Sequence, residues 1–165
     1  LAMTLAFEPA EPGVMKHPPR PRGESLLRGF VVWRVVFVSL LFLSGIFAAW
    51  YWAMHQYGDE SIARTLAVNT LVAMEVFYLF AVRYLDSASI TLRGVLGTPI
   101  VLLAVATVIA LQLLFTYLPW FNQTFGTQAL SLEALGFAAV AGGLVLVILE
   151  IETALRKRLL RAGPV

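Results

Sequence analysis

One acidic residue, Glu75, lies within an apolar stretch of the sequence that is long enough to cross a lipid bilayer. An ionised carboxylate near the centre of a bilayer costs about 3 kcal/mol on insertion scales, so such a side chain usually faces a bundle interior or a cavity. Carboxylate oxygens are ligands that a hard cation such as Ca²⁺ prefers, and a carboxyl group can also carry a proton. The alternative is a protonated acid that hydrogen bonds to a neighbouring helix. Glu75 is therefore the candidate ion-binding residue and the candidate metal ligand.

Other polar residues in the apolar stretches are Asn69, Thr70 and Gln112, which are suited to hydrogen bonds between membrane helices. Asn69 precedes Glu75 by six residues, or about 600° of rotation at 3.6 residues per turn. The two side chains therefore do not share a helix face, and a site built from both is not expected.

Several chemistries are excluded by composition. The chain has no cysteine, and its two histidines, His17 and His55, are isolated from one another, so neither thiolate nor paired-histidine metal sites are expected. No nucleotide-binding loop, nucleophile elbow or paired-carboxylate hydrolase pattern occurs, so we predict no catalytic residue in this segment. The net charge is only +2, which indicates no nucleic-acid partner.

The composition predicts that lipid is the solvent. Hydrophobic residues make up 59% of the 165 residues and charged residues 13%, about half the charged share of a soluble domain. Apolar stretches of spanning length, separated by polar turns, predict an all-α integral membrane bundle of four transmembrane helices over residues 29–165. The expected helices cover about residues 29–57, 62–84, 98–117 and 132–155.

Residues 1–28 differ from the rest of the chain. The sequence begins inside a short apolar run, Leu1 to Phe7, which we expect to be the last turns of a preceding membrane helix in a longer protein. Prolines interleaved with charges follow, and they favour an extended connector outside the bilayer. These prolines are Pro9, Pro12, Pro18, Pro19 and Pro21.

Basic residues predict the orientation in the membrane, because cytoplasmic loops carry an excess of lysine and arginine. One side of the predicted bundle has a single basic residue, Arg64, whereas the other side has the remainder. The remainder includes Lys16, Arg20, Arg22, Arg28, Arg83, Arg93, Arg156, Lys157, Arg158 and Arg161. We therefore expect a multi-pass protein of the cell membrane with both ends cytoplasmic and a short basic tail.

The connector carries the most specific family resemblance. The run from Leu5 to Met15, followed by Pro18-Pro19-Arg20, resembles the cytoplasmic segment after the sixth membrane helix of P-type calcium pumps, including bacterial pumps. Further along, Asn69-Thr70 and Glu75 resemble the family's eighth helix. The stretch from Tyr117 to Leu130 is similar to the connection between the ninth and tenth helices. The four spans then correspond to helices seven to ten.

The resemblance implies a function for the parent protein, which couples ATP hydrolysis through an aspartyl-phosphate to cation movement. ATP, Mg²⁺ and the transported cation belong to that parent pump, and no cofactor is expected in this segment. The implied partners are the lipid bilayer and the preceding membrane helices and cytoplasmic domains of the same pump. Glu75 takes the position of the eighth-helix acid. Glu8 and Glu11 take positions of connector acids that bear on coupling, although a solvated linker is an equal alternative.

Two other hypotheses stay open from the residues alone. A complete four-helix exporter would use Glu75 to bind protons and a cationic substrate in turn. A membrane subunit without a transport site would tolerate the replacement of Glu75 by glutamine.

Overall fold

The computed structural model describes residues 29–84 and 99–161, which form five helices. Glu8 and Glu11 lie outside the described residues. The helices are α1 (Gly29–Tyr57), α2 (Glu60–Tyr84), α3 (Pro99–Tyr117), α4 (Pro119–Phe125) and α5 (Leu132–Arg161).

Four of these helices are long and apolar enough to span a membrane. Even the shortest of the four, α3, has 19 residues and extends about 28 Å, close to the thickness of a bilayer's hydrocarbon core. The described residues contain helices and no strand. The prediction of an all-α bundle with four spanning helices is therefore confirmed.

Two helix boundaries differ from those expected from the sequence. Helix α2 begins at Glu60, two residues earlier than expected, and the Ser61 backbone N–H donates to Asp59 Oδ1 at 2.7 Å. This bond satisfies one of the free N–H groups in the first turn. Helix α5 continues to Arg161, beyond its expected end near residue 155.

Helix α2 is the centre of the bundle, because both α1 and α5 pack against it more extensively than against each other. The two helices α2 and α5 pack tightly at Gly142. A Cβ atom placed there would lie 2.5 Å from Phe77 Cδ2 and 3.1 Å from the Ala73 carbonyl carbon. The glycine therefore allows α2 and α5 to approach closely, and a larger side chain at this position would push the two helices apart.

Helix α3 is attached to α2 at two levels. Near one end, Asn69 and Thr116 hydrogen bond across the helices. Nearer the other end, Leu79 packs with Val101 and Val105 in a buried cluster. Little contact joins α3 to α5, so α3 is held to the bundle through α2.

Candidate functional site

Glu75 lies on the exposed side of α2 rather than inside the packed bundle. Its position is nine residues before Tyr84, so it is about 14 Å along the axis from that end of the 25-residue helix. The carboxylate is therefore well within the span, at a depth where lipid or another helix must face it.

The neighbours of Glu75 define the side on which it lies. Tyr78, three residues on, packs edge to face with Phe42 of α1 at a centroid distance of 5.9 Å. Leu79, four residues on, packs with Val101 and Val105 of α3. Glu75 therefore occupies a strip of α2 between the contacts with α1 and those with α3, which we call the open strip.

Asn69 lies on a different side of α2. Its side chain is 7% exposed, and its Nδ2 donates to Thr116 Oγ1 at 3.0 Å and to the Thr65 carbonyl at 2.9 Å. The predicted interhelical role of Asn69 is confirmed. The expectation that Asn69 and Glu75 point to different sides is also confirmed, so they do not form one site.

Thr70 and Gln112 do not make the interhelical bonds expected of them. Thr70 Oγ1 and Gln112 Nε2 are both buried, and neither has a hydrogen-bond partner among the described residues. The cross-helix bond from α3 is made instead by Thr116, whose hydroxyl is one helical turn beyond Gln112.

Within residues 29–84 and 99–161, no group of three or more acidic, histidine or cysteine side chains is placed to hold a metal ion. Glu75 can offer up to two of the six to eight oxygen ligands that Ca²⁺ takes. A Ca²⁺ site that included Glu75 would therefore need further ligands from segments that face the open strip.

At the end of the bundle where α1 joins α2, Arg64 holds the short helix α4 in place. Arg64 Nη1 donates to the carbonyls of Phe125 at 3.3 Å and Gly126 at 3.2 Å, while Nη2 contacts Glu60 Oε1 at 3.0 Å. A cation at these carbonyls also suits the negative end of a helix dipole. Gly126 adopts φ 60°, a backbone conformation that favours glycine, and a Cβ there would lie 2.8 Å from Arg64 Nη1, so the guanidinium would have to shift.

Asn122 ties α4 back to α3. In the amide orientation that its neighbours require, Asn122 Nδ2 donates to Thr127 Oγ1 at 3.0 Å and to the Phe115 carbonyl at 3.2 Å. Trp120 on the same helix is 66% exposed. Helix α4 was not predicted from the sequence, although Pro119 at its first position and Gly126 at its C-cap are signals for a short helix.

Fold and site together define the class of protein: a helical bundle with four membrane spans and one carboxylate on an uncovered strip of its central helix. A protein-family model described as "Cation transporting ATPase, C-terminus" matches residues 1–155. The chain belongs to this family, and it corresponds to the C-terminal membrane segment of P-type cation-transporting ATPases.

Individual relatives agree with this assignment. The chain is 34% identical over 149 residues to the "Probable cation-transporting ATPase F" of Mycobacterium tuberculosis, which covers 90% of the chain and 16% of that protein. It is 34% identical over 132 residues to the "Cation-transporting ATPase pma1" of Synechocystis, covering 77% of the chain and 15% of that protein. It is also 28% identical over 134 residues to the "Calcium-transporting ATPase 1" of Yarrowia lipolytica, covering 81% of the chain and 14% of that protein. The chain thus spans about 16% of the length of the first of these relatives.

Proposed function

We propose that this chain is the C-terminal transmembrane part of an ATP-driven cation pump, and that Glu75 supplies a ligand to the transported cation. The rest of the pump would provide the ATP- and Mg²⁺-binding domains and the other membrane helices. The observation that carries the proposal is the position of the Glu75 carboxylate, deep in the span and on a strip of α2 that the described helices leave uncovered.

The cost of placing a carboxylate in lipid supports this role. A charged group at this depth is unfavourable unless it faces protein, water or a cation. Helices α1, α3 and α5 pack on the other sides of α2, so the partner of Glu75 has to come from the open strip. A preceding helix of the same pump that lies along this strip would place its own oxygen ligands beside the carboxylate.

Calcium is the cation that we propose. Several oxygen ligands with at least one carboxylate suit Ca²⁺, and Glu75 can supply a carboxylate. The name of the Yarrowia relative, a calcium-transporting ATPase, agrees with this choice.

The test is Glu75→Gln in the full-length protein, with ATP hydrolysis measured against the concentration of Ca²⁺ and of other divalent cations. Glutamine keeps the size of the side chain and one oxygen but removes the charge. We expect the half-maximal Ca²⁺ concentration to rise at least about tenfold, since even outer-shell partners of a metal are worth that much. The matched control is Glu150→Gln, which changes an exposed glutamate of α5 in the same way.

An unchanged Ca²⁺ dependence in Glu75→Gln would refute the ligand assignment and would favour a supporting role for this bundle. An equal rise of the half-maximal Ca²⁺ concentration in Glu75→Gln and Glu150→Gln would point to a general effect of removing a negative charge from a membrane helix. Activation by a cation other than Ca²⁺, with its affinity lowered by Glu75→Gln, would keep the ligand role and overturn the choice of calcium.

A further inference from the structure

Helix α4 lies across the end of α3 instead of extending it. Leu118, the residue before Pro119, is extended with ψ 121°, as expected for a residue that precedes proline, and the chain turns there. If α4 continued along the axis of α3, Phe125 would lie ten residues, or about 15 Å, beyond Phe115. The two rings are instead in contact, with their centroids 5.6 Å apart. The C-terminal end of α4 therefore returns to the last turn of α3.

Hydrogen bonds to two spanning helices hold α4 at this level. On α3, the Phe115 carbonyl accepts from Asn122 Nδ2 at 3.2 Å. On α2, Arg64 Nη1 donates to the carbonyls of Phe125 and Gly126. Arg64 is four residues after the start of α2, and Phe115 is two residues before the end of α3. Helix α4 is thus attached near the point where each of these two spans ends.

The ends of the spans define the depth of α4 in the membrane. Helix α3 has 19 residues and extends about 28 Å, close to the thickness of the hydrocarbon core. Its end at Tyr117 is therefore near the boundary between acyl chains and headgroups, and only Leu118 separates it from α4. Helix α4 consequently lies at this boundary.

Large apolar side chains are exposed on α4 at this depth. Trp120 is 66% exposed and Phe125 51% exposed, although Phe125 also stacks on Phe121. Three of the seven residues of α4 are aromatic, and none is charged. Exposed aromatic rings are unfavourable in water, whereas tryptophan is enriched where a membrane meets water, because its ring is apolar and its N–H can hydrogen bond. These residues are therefore suited to the membrane interface.

The exposed rings continue an apolar surface of α3. Leu111, Leu114 and Leu118 are spaced three and four residues apart, so they share one face, and all three are exposed. This face is turned away from α2, which α3 contacts through residues such as Val105 and Thr116. Exposed leucines on a spanning helix are suited to contact with acyl chains, and this leucine surface ends at α4.

From these observations we propose that α4 is an interfacial anchor. Trp120 and Phe125 contact the headgroups and the first acyl carbons of the bilayer, at the end of the bundle where α1 joins α2. Through Arg64 the anchor is attached to α2 as well as to α3. It does not depend on Glu75 or on the transported cation.

Spin labels test this depth. Each label is attached to one introduced cysteine in a cysteine-free background of the full-length protein, which is reconstituted in phosphatidylcholine vesicles. Oxygen concentrates among acyl chains and a nickel chelate in water, so the ratio of their collision rates with the label, measured by electron paramagnetic resonance, rises with depth. We expect labels at Trp120→Cys and Phe125→Cys to collide more often with oxygen than with nickel.

Reference labels calibrate the ratio on the same protein. Leu111→Cys, on the exposed face of α3, gives the value within the hydrocarbon core. Glu133→Cys gives the value in water, since Glu133 is an exposed acid in the first turn of α5 at the same end of the bundle. The labels on α4 should give ratios between these two values. If Phe125→Cys does not fold, Thr124→Cys takes its place, because Thr124 is exposed and its hydroxyl bonds only within α4.

Three results would overturn the proposal. An oxygen-to-nickel ratio on α4 as low as that at Glu133→Cys would place the helix in water. A ratio as high as that at Leu111→Cys would place it within the hydrocarbon core. Few collisions with either oxygen or nickel would mean that another part of the pump, and not lipid, covers Trp120 and Phe125.

Discussion

Asn69 and Glu75 lie on different sides of α2, and their surroundings differ accordingly. The Asn69 amide is buried and bonded to Thr116 of α3, whereas the Glu75 carboxylate is exposed on the open strip. Asn69 thus links α2 to α3, whereas Glu75 is available to a partner outside the described helices. Substitutions at the two positions should therefore affect different properties of the protein.

Replacing Asn69 should weaken the attachment of α3. In Asn69→Leu the hydrogen bond to Thr116 is lost, so we expect a lower midpoint of heat-induced aggregation for full-length protein in detergent. A double-mutant cycle with Thr116→Val should give a coupling energy of about 0.6 kcal/mol, typical of such bonds in membranes. Thr70→Val is the control, because Thr70 Oγ1 has no partner among the described residues. A midpoint lowered as much by Thr70→Val as by Asn69→Leu would argue against the special role of the Asn69 bond.

The contact between α2 and α5 should be sensitive to one methyl group. Gly142→Ala places a Cβ against Phe77 and the Ala73 backbone, and we expect a destabilisation of about 1–3 kcal/mol from overpacking. Gly143→Ala is the matched control, since a Cβ there meets nothing within 4 Å. Heat-induced aggregation measured by size-exclusion chromatography compares the two. Equal stability of Gly142→Ala and Gly143→Ala would mean that α5 can move away from α2 without loss of stability.

The orientation of the bundle predicts which residues face outward. The chain has no cysteine, so a cysteine-free background of the whole protein would allow single labels to be placed at Gln123 in α4 and at Arg158 in α5. With both ends cytoplasmic, an impermeant maleimide should label Gln123→Cys in intact cells and Arg158→Cys only after permeabilisation. The reverse pattern would invert the orientation inferred from the basic residues.

The connector should bear on coupling rather than on cation binding. We expect Glu8→Ala combined with Glu11→Ala to lower the number of cations transported per ATP hydrolysed, because a stiff proline-rich segment transmits displacement better than a flexible one. Glu24→Ala, in the same connector, is the control. The measurement is the ratio of ion uptake to ATP hydrolysis in sealed vesicles. A normal ratio in the double variant would identify the connector as a solvated linker.

The four spans could be predicted from sequence because their signal is local: an apolar stretch of sufficient length appears in the sequence itself. The interhelical bond of Asn69 was also predictable, since a buried amide in a membrane helix needs a partner. Gln112 Nε2, in contrast, has no partner among the described residues, because its surroundings depend on how far α3 stands from α5. That distance is set by packing, not by residue type.

Helix α4 was missed for a similar reason. Seven residues with a proline at the start and a glycine after the end resemble a loop as much as a helix. What holds α4 is the guanidinium of Arg64, 61 residues before Phe125 in the sequence, together with the Asn122 amide. Contacts between residues so distant in sequence leave no periodic pattern, whereas the pattern of a spanning helix is complete within that helix.

Equilibrium binding of radioactive Ca²⁺ to the purified full-length protein, without ATP, tests the central claim most directly. The proposal predicts a saturable site whose affinity falls at least about tenfold in Glu75→Gln and is unchanged in Glu150→Gln. Binding curves that coincide for the unchanged protein and Glu75→Gln would contradict the assignment of Glu75 as a ligand of the transported cation.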